Sequence, residues 1–205
     1  MPTIAVLDYG IGNLRSAQKA LERAGANALL TSDAKTIASA HGIVLPGVGN
    51  FGNCIKALRA TGIDRIALDA IETGRPFLGI CIGMQLLFET SEESPNVQGL
   101  GVLPGAVRLL SEEVKRPQMQ WNSIQIHKPS PMLDGLDGEW LYFVHSYAAD
   151  LSGNTELLAA TCDYGGQVVA AVQHENIFAT QFHPEKSSDT GRVFLRNFVK
   201  ACEEQ

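Results

Sequence analysis

The chain has 205 residues, of which 45% are hydrophobic and 19% charged, and this is the size and composition of a single globular domain. Its formal net charge of −6 disfavours binding to nucleic acid or to an anionic membrane surface. No apolar run reaches the ~18 residues that a membrane-spanning helix needs.

Short apolar strands alternate with helices in the first half of the chain. Strands are predicted at residues 4–7, 28–31, 43–45 and 76–80, and helices at 13–24, 33–40, 51–71 and 84–90. In the first helix Leu14, Ala17 and Leu21 follow the helical period, and Asp33 is a candidate cap of the second helix. The alternation indicates an α/β fold with a central, mainly parallel sheet flanked by helices.

Strand-like segments joined by short turns dominate the second half. They cover residues 107–110, 121–126, 141–145, 157–160, 168–173 and 177–182, and a closing helix is predicted at 192–202. The turns carry Gly, Asp, Asn or Pro, so we expect an additional antiparallel region that makes the sheet mixed. Because the sequence has neither repeats nor a low-complexity linker, residues 1–205 are assigned to one domain.

The cysteines are widely spaced, and none forms a CxxC or Cys/His pair at zinc-ligand spacing; they are Cys54, Cys81, Cys162 and Cys202. We therefore expect no metal site. The N-terminus lacks the basic start and long apolar stretch of a secretion signal. Isolated thiols without a secretion signal predict a reducing, cytoplasmic location.

Cys81 is a candidate nucleophile because Gly79-Ile80-Cys81-Ile82-Gly83 lies where a predicted strand gives way to a helix. This is the form of a nucleophile elbow, in which flanking glycines let neighbouring backbone approach. A helix N-terminus after Cys81 would favour the thiolate, and the amide of Ile82 would face the oxygen of a tetrahedral intermediate. The alternative is a buried structural cysteine between unrelated glycines.

His183-Pro184-Glu185 follows the predicted strand 177–182 and supplies a candidate general base. Pro184 favours an extended backbone at His183, and side chains two apart in extended chain share a face. We therefore expect Glu185 to hold the imidazole while His183 takes the Cys81 proton. A plain loop turn is the alternative.

A second oxyanion donor is expected near Val48 and Gly49, in the sequence Pro46-Gly47-Val48-Gly49 after the third strand. Glycines there allow backbone amides to turn toward a ligand. An ordinary strand-to-helix turn would also explain this sequence.

The segment from Gly79 to Gln85, taken with His183-Pro184-Glu185, resembles the triad-type (class I) glutamine amidotransferases. A finer resemblance is to the glutaminase subunits of imidazole glycerol phosphate synthases, and it rests on residues 8–13, 46–51, 119–122, 143–147 and 181–187. The resemblance implies hydrolysis of L-glutamine to glutamate and ammonia through a Cys81 thioester. It also implies a heterodimer with a (β/α)8-barrel cyclase subunit that uses the ammonia in histidine biosynthesis, and no metal or organic cofactor for this half-reaction.

Further site residues are implied by the same resemblance. Gln85 would bind glutamine through its side chain, and the pocket would be lined by the backbone of Gly49, Ser146 and Tyr147. Residues near the partner and the ammonia exit would be Asn13, Trp121, Tyr142 and Lys186. One departure from the family pattern is Gln118-Met119-Gln120, where the family usually has His-Met-Gly; it concerns interface geometry rather than chemistry.

Two other functions share the same residues. The first is a cysteine hydrolase that acts alone, such as a γ-glutamyl peptidase. The second is a catalytically silent regulatory or scaffold subunit, against which the presence of Cys81, His183 and Glu185 argues.

Overall fold

The computed structural model describes residues 1–204, and β-strands outnumber helices in that range. The strands are β1 (Thr3–Leu7), β2 (Asn27–Thr31), β3 (Gly42–Gly47), β4 (Phe77–Cys81), β5 (Phe88–Ser91), β6 (Leu103–Leu109), β7 (Gln118–Ser123), β8 (Gln125–Ile126), β9 (Trp140–His145), β10 (Tyr147–Asp150), β11 (Leu158–Asp163), β12 (Gln167–His174) and β13 (Ile177–Thr180). The helices are α1 (Leu14–Ala24), α2 (Ala34–Ser39), α3 (Phe51–Thr61), α4 (Ile63–Glu72), α5 (Ile82–Gln85) and α6 (Ser188–Glu203).

An eight-stranded mixed sheet with the order β2-β1-β3-β4-β13-β12-β11-β8 forms the centre of the molecule. In this spatial order, neighbouring strands from β2 through β1, β3 and β4 to β13 pair in parallel. From β13 onward, each strand pairs antiparallel with the next, through β12 and β11 to β8. Every residue of β3 and β4 is buried, as expected for parallel strands covered on both faces. The predicted α/β class and the mixed sheet are thereby confirmed.

Two smaller sheets pack beside the central one, in the orders β10-β6-β5 and β7-β9. The antiparallel β7–β9 pair places Gln118 opposite His145 and Trp121 opposite Tyr142. Its large exposed apolar side chains, which we call the β7–β9 face, are Met119, Trp121 and Trp140. Within the range that the structure describes, no helix is long and apolar enough to cross a membrane.

The prediction of one continuous helix at 51–71 is wrong, because Gly62 ends α3 and α4 begins directly after it. Gly62 has a left-handed backbone (φ +73°), and its N–H donates to the carbonyls of Leu58 and Arg59. Such a cap closes a helix, and glycine adopts it without strain from a β-carbon. The apolar period continues across Gly62, so the sequence pattern alone suggests one helix.

The helix predicted at 84–90 is also wrong, since α5 ends at Gln85 and β5 starts at Phe88. Leu86, Leu87 and Phe88 are fully buried, and β5 pairs in parallel with β6. A short apolar run of this kind is compatible with either a buried helix or a buried strand. Strand β10 was not predicted, and the segment 121–126 is divided between β7 and β8.

Candidate active site

Cys81 lies at the carboxyl end of β4, between β3 and β13. The register pairs Gly47 with Cys81 and Thr180 with Ile80, so the segments that follow all three parallel strands meet at one edge of the sheet. The backbone of Cys81 is in a positive-φ conformation (φ +55°, ψ −109°). Non-glycine residues rarely adopt it, and such strain clusters at functional sites.

The glycines around Cys81 are required by close backbone contacts. A β-carbon on Gly83 would lie 1.8 Å from the carbonyl oxygen of Leu45 in β3, and one on Gly79 would lie 2.9 Å from the carbonyl oxygen of Gly83. A β-carbon on Gly47 would lie 2.9 Å from the amide nitrogen of Gly83. Helix α5 therefore packs directly on the backbone of β3 and β4, and this packing fixes the turn that carries Cys81.

His183 and Glu185 form a buried pair beside this turn, with 2.7 Å between Nδ1 of His183 and Oε1 of Glu185. The expected contact is present, and the backbone is extended at His183 as predicted but not in the residues that follow. His183 itself is extended (φ −101°, ψ 95°), whereas Pro184–Lys186 is a short 3-10 helix that turns Glu185 back toward the imidazole. Proline at the first helical position suits this turn.

Backbone hydrogen bonds tie the His183 turn to strand β9. The N–H of His183 donates to the carbonyl of Tyr142 at 2.9 Å, and the N–H of Tyr142 donates to Oγ of Ser187 at 2.9 Å. The Ser187 hydroxyl donates in turn to the carbonyl of His183 at 2.6 Å. The imidazole therefore has a fixed position relative to the β7–β9 face.

The charge state of His183 depends on its two neighbours. Burial lowers the pKa of His183, but the sulfur of Cys81 and the carboxylate of Glu185 outweigh burial and raise this pKa to about 10. Glu185 accepts the Nδ1 proton, which leaves Nε2 directed away from it. Nε2 is buried and makes no hydrogen bond of normal geometry among residues 1–204, yet the Cys81 sulfur is near enough to raise the pKa of His183.

A cavity of about 400 Å³ opens beside Cys81 and His183. The predicted residues that line it are Val48, Gly49, Ile82, Gln85, Ser146, Tyr147, Asn13 and Lys186. Two larger surface grooves, of about 500 and 740 Å³, lie elsewhere and include neither Cys81 nor His183. The loop after β3, the elbow and the β9–β10 connection thus share one cavity with the cysteine and the histidine.

Gln85 is buried at this cavity and is held by two hydrogen bonds. Its Nε2 donates to the carbonyl of Tyr147 and to Oε1 of Gln181, each at 2.9 Å. Its Oε1 has no partner in the described chain. Gly49 has a positive φ of +97°, and the preceding carbonyl of Val48 accepts the thiol proton of Cys54 at 3.5 Å.

Three cavity or near-cavity residues were not among the predicted site residues. Glu93 lines the cavity and accepts the N–H of Phe51 at 2.6 Å. His145 lines it too, and burial lowers the pKa of His145 to about 4, so its ring is neutral at pH 7. Gln181, fully buried, donates from Nε2 to the Cys81 sulfur at 3.6 Å. The sequence offered only weak signals for these residues. Glu93 is one of two adjacent glutamates, and Gln181 lies two residues before the His-Pro-Glu motif.

Trp121 and Tyr142 lie outside the cavity lining. Their rings meet edge to face on the β7–β9 pair, with centroids 6.1 Å apart. Gln120 is exposed on this sheet, whereas Gln118 is fully buried and donates to the Cys162 sulfur at 3.7 Å. Of the two departures from the family pattern, only Gln120 is therefore at the surface.

The thiols and acidic groups of residues 1–204 form no cluster of three His, Cys, Asp or Glu side chains with metal-site geometry. The cysteines are free thiols, and all are buried. Burial raises the pKa of Cys162 to about 11 and that of Cys202 to about 12, so these two thiols are protonated at pH 7.

Comparisons with known proteins agree with this geometry. The family model described as glutamine amidotransferase class-I matches residues 5–202. The imidazole glycerol phosphate synthase subunit HisH of Syntrophotalea carbinolica is 48% identical over 203 residues, covering 95% of this chain and 98% of the relative. The HisH subunit of Methanothermobacter thermautotrophicus is 47% identical over 197 residues, covering 96% and 98%.

Solved structures support the same fold at lower sequence identity. A crystal structure of a glutamine amidotransferase superposes with a TM-score of 0.77 at 21% identity, covering 98% of each chain. The structure of PurLQS from Thermotoga maritima superposes with a TM-score of 0.75 at 19% identity, covering 99% of this chain and 98% of that one.

Proposed function

We propose that this chain, which belongs to the class-I glutamine amidotransferase family, hydrolyses L-glutamine for histidine biosynthesis. Within that family it belongs to the HisH subunits of imidazole glycerol phosphate synthase. The observation that carries the proposal is the strained Cys81 at the end of β4, beside a buried His183–Glu185 pair and an open cavity. The single domain and the cytoplasmic location expected from the sequence are parts of the same proposal.

The first half of the reaction forms a thioester. The Cys81 thiolate attacks the carboxamide carbon of glutamine, and a C–S bond forms as the carbonyl π-electrons move to oxygen. Backbone amides of Ile82 and of the Val48–Gly49 segment, which line the cavity, would hold that oxyanion. When the tetrahedral intermediate collapses, the C–N bond breaks and Nε2 of His183 gives its proton to the departing ammonia.

The second half regenerates the enzyme. His183, now neutral, takes a proton from water, and the oxygen attacks the thioester carbon. The C–S bond breaks, glutamate leaves, and the restored thiolate lies again beside protonated His183. Glu185 holds the Nδ1 proton through both halves and stabilises the imidazolium, as an orienting carboxylate does in other triads.

Recognition of glutamine is assigned to polar groups that line the cavity. The carboxylate of Glu93 suits the α-ammonium group of an amino acid, and Oε1 of Gln85 is an acceptor without a partner in the described chain. The neutral His145 ring adds no charge beside the thiolate. The backbone of Ser146 and Tyr147 completes the wall opposite the elbow.

The partner in this proposal is a (β/α)8-barrel cyclase subunit, bound as a heterodimer that receives the ammonia. The β7–β9 face supports it, because Met119, Trp121 and Trp140 are 62%, 43% and 57% exposed, and aromatic residues and methionine are enriched in interface cores. Asn13 and Lys186 line the cavity and Tyr142 lies on β9, so these are candidate residues of the interface and of the ammonia exit.

The proposal is tested with Cys81→Ala in a complex with the cyclase subunit and its nucleotide substrate. We expect loss of glutamine-dependent synthesis and unchanged ammonia-dependent synthesis, since the partner performs the second reaction. Cys202→Ala is the matched control, because Cys202 is a buried thiol on α6, outside the cavity. Glutamine-dependent synthesis by Cys81→Ala, or preference of the wild-type chain for a γ-glutamyl peptide over free glutamine, would contradict the proposal.

A further inference from the structure

A side chain outside the Cys-His-Glu set contacts the reactive sulfur. Gln181 follows β13 and is fully buried, and its Nε2 lies 3.6 Å from Sγ of Cys81. It is the one closed hydrogen bond to this sulfur within residues 1–204, although His183 is also coupled to it. His183, two residues later, approaches the sulfur with Nε2 unbonded.

The orientation of the Gln181 amide follows from its neighbours. The carbonyl of Tyr147 can only accept, so the group of Gln85 that faces it must be the NH2. The same NH2 lies 2.9 Å from Gln181, which must therefore present its carbonyl oxygen there. The remaining NH2 of Gln181 then points at the sulfur of Cys81, which has to act as acceptor.

An N–H donor of this kind favours the thiolate over the thiol. Hydrogen bonds to an ionised acceptor are about twice as strong as those between neutral groups. The amide does not titrate, so it donates at any pH, in contrast to the imidazolium of His183. The donor is buried with the sulfur, where it acts without competition from water.

Other titratable groups also surround the sulfur from several elements. His183 and Glu185 lie on the turn after β13, and Tyr9 and Cys54 approach from the β1 loop and α3, where burial raises the pKa of each. The same cavity is lined by Glu93, His145 and Lys186. His183 is coupled to the sulfur, but its Nε2 makes no closed hydrogen bond within the described chain.

We propose that Gln181 is a further residue of the catalytic centre, whose amide N–H stabilises the Cys81 thiolate and holds the sulfur toward the cavity. It also connects the nucleophile to the glutamine-binding side chain, because one amide joins Gln85 to Cys81. The catalytic part of this inference rests on the proposed glutaminase function.

The test measures the pH dependence of Cys81 alkylation by iodoacetamide in the purified chain, with Gln181→Met as the variant. Methionine keeps the length of the side chain and removes the donor. We expect the midpoint of the profile to move up by about one pH unit and alkylation at neutral pH to slow about tenfold. In the cyclase complex, kcat for glutamine should fall more than KM changes.

The matched control is Gln118→Met. Gln118 is equally buried, and its Nε2 donates to the sulfur of Cys162 at 3.7 Å, so the substitution removes the same kind of bond away from the cavity. Its Cys81 alkylation profile should coincide with that of the wild type. Alkylation does not require glutamine turnover, so a wild-type chain that fails to hydrolyse glutamine in the cyclase complex would refute the proposed function without deciding the role of Gln181.

A second variant, Gln181→Glu, separates donation from shape. A glutamate is closer in shape to glutamine than methionine is, so a structural role predicts the milder effect. In our proposal it is the more severe, because the carboxyl ionises before the thiol and its charge opposes the thiolate. Two outcomes overturn the proposal. One is a folded Gln181→Met variant whose pH profile of Cys81 alkylation matches that of the wild type. The other is a Gln181→Glu profile that lies closer to the wild type than the Gln181→Met profile does.

A measurement on the wild-type chain covers the case in which neither variant folds. With glutamine side chains labelled with ¹⁵N, the NH2 signals of Gln181 should shift when Cys81 is alkylated. Those of Gln118 should stay in place. Unchanged Gln181 signals also overturn the proposal.

Discussion

Replacement of Gly83 by alanine tests the claim that backbone packing sets the elbow. A β-carbon there would lie 1.8 Å from the carbonyl oxygen of Leu45 and 2.8 Å from its carbonyl carbon, and real contacts of this kind essentially never fall below 3.0 Å. Both groups belong to the backbone, so no side chain can rotate away. Helix α5 or strand β3 must move by about 1.2 Å, the difference from that limit.

The displacement has consequences for stability and for chemistry. Overpacking of this kind costs about 1–3 kcal/mol of the free energy of unfolding. Because Cys81 precedes α5 and the Val48–Gly49 segment follows β3, the shift separates the nucleophile from a proposed oxyanion donor. A misplacement of about 1 Å can lower turnover about 100-fold.

The assay is glutamine hydrolysis in the cyclase complex, with urea unfolding measured in parallel. Gly42→Ala is the control, since its β-carbon would meet the Cys202 sulfur at 2.3 Å at the opposite end of β3. We expect both variants to be less stable and only Gly83→Ala to lose about 100-fold in kcat. If folded Gly83→Ala retained wild-type turnover, the argument from backbone packing would be refuted.

Three further predictions follow from the site and its surroundings. Glu185→Gln should lower kcat on the order of 10⁴-fold and His183→Ala on the order of 10⁶-fold, measured in the complex; equal losses would place both residues in the same role. The free energy of unfolding should be greatest near pH 6.5, in urea titrations at several pH values. The free energy of unfolding falls above pH 6.5 because the folded state raises the pKa of His183 to about 10. The stabilisation from protonated His183 is therefore complete below pH 6.5 and is lost as the pH approaches 10. The free energy of unfolding also falls below pH 6.5, because burial lowers the pKa of His145 to about 4 in the folded state. Between pH 6.5 and 4 the unfolded chain therefore binds a proton at His145 more readily than the folded chain does. A free energy of unfolding that does not vary with pH would contradict both assignments. Asn50→Ala should cost about 1 kcal/mol of the same free energy, because the Asn50 side chain caps α3 by accepting the N–H of Asn53 at 3.0 Å, and an unchanged urea midpoint would rule this out.

The parts of the site that sequence could predict are local in the chain. The glycines on either side of Cys81 reflect contacts within one strand-turn-helix unit, so their spacing carries the information. Glu185 reaches His183 because only Pro184 separates them, even though the turn is a 3-10 helix instead of the extended chain we expected. Short spacing limits the geometry enough for the contact to be foreseen.

The parts that sequence could not predict depend on distant segments. The orientation of Gln181 is set by Gln85, 96 residues earlier in the chain. Glu93 follows β5, a strand that pairs with β6 and whose apolar run also fits a helix. The break at Gly62 depends on a left-handed cap that periodicity does not report. In each case tertiary partners decide the outcome.

The central position of β4 has a consequence for the order of events during folding. Its neighbour β3 is close in sequence, whereas its other neighbour, β13, begins at Ile177. Until β13 docks, β4 is an edge strand with unpaired backbone groups, and open edges invite pairing with other chains. The docking of β13 closes that edge and brings His183 to Cys81 in one step. A nascent chain therefore acquires its proton acceptor only when the sheet no longer exposes an aggregation-prone edge at its centre.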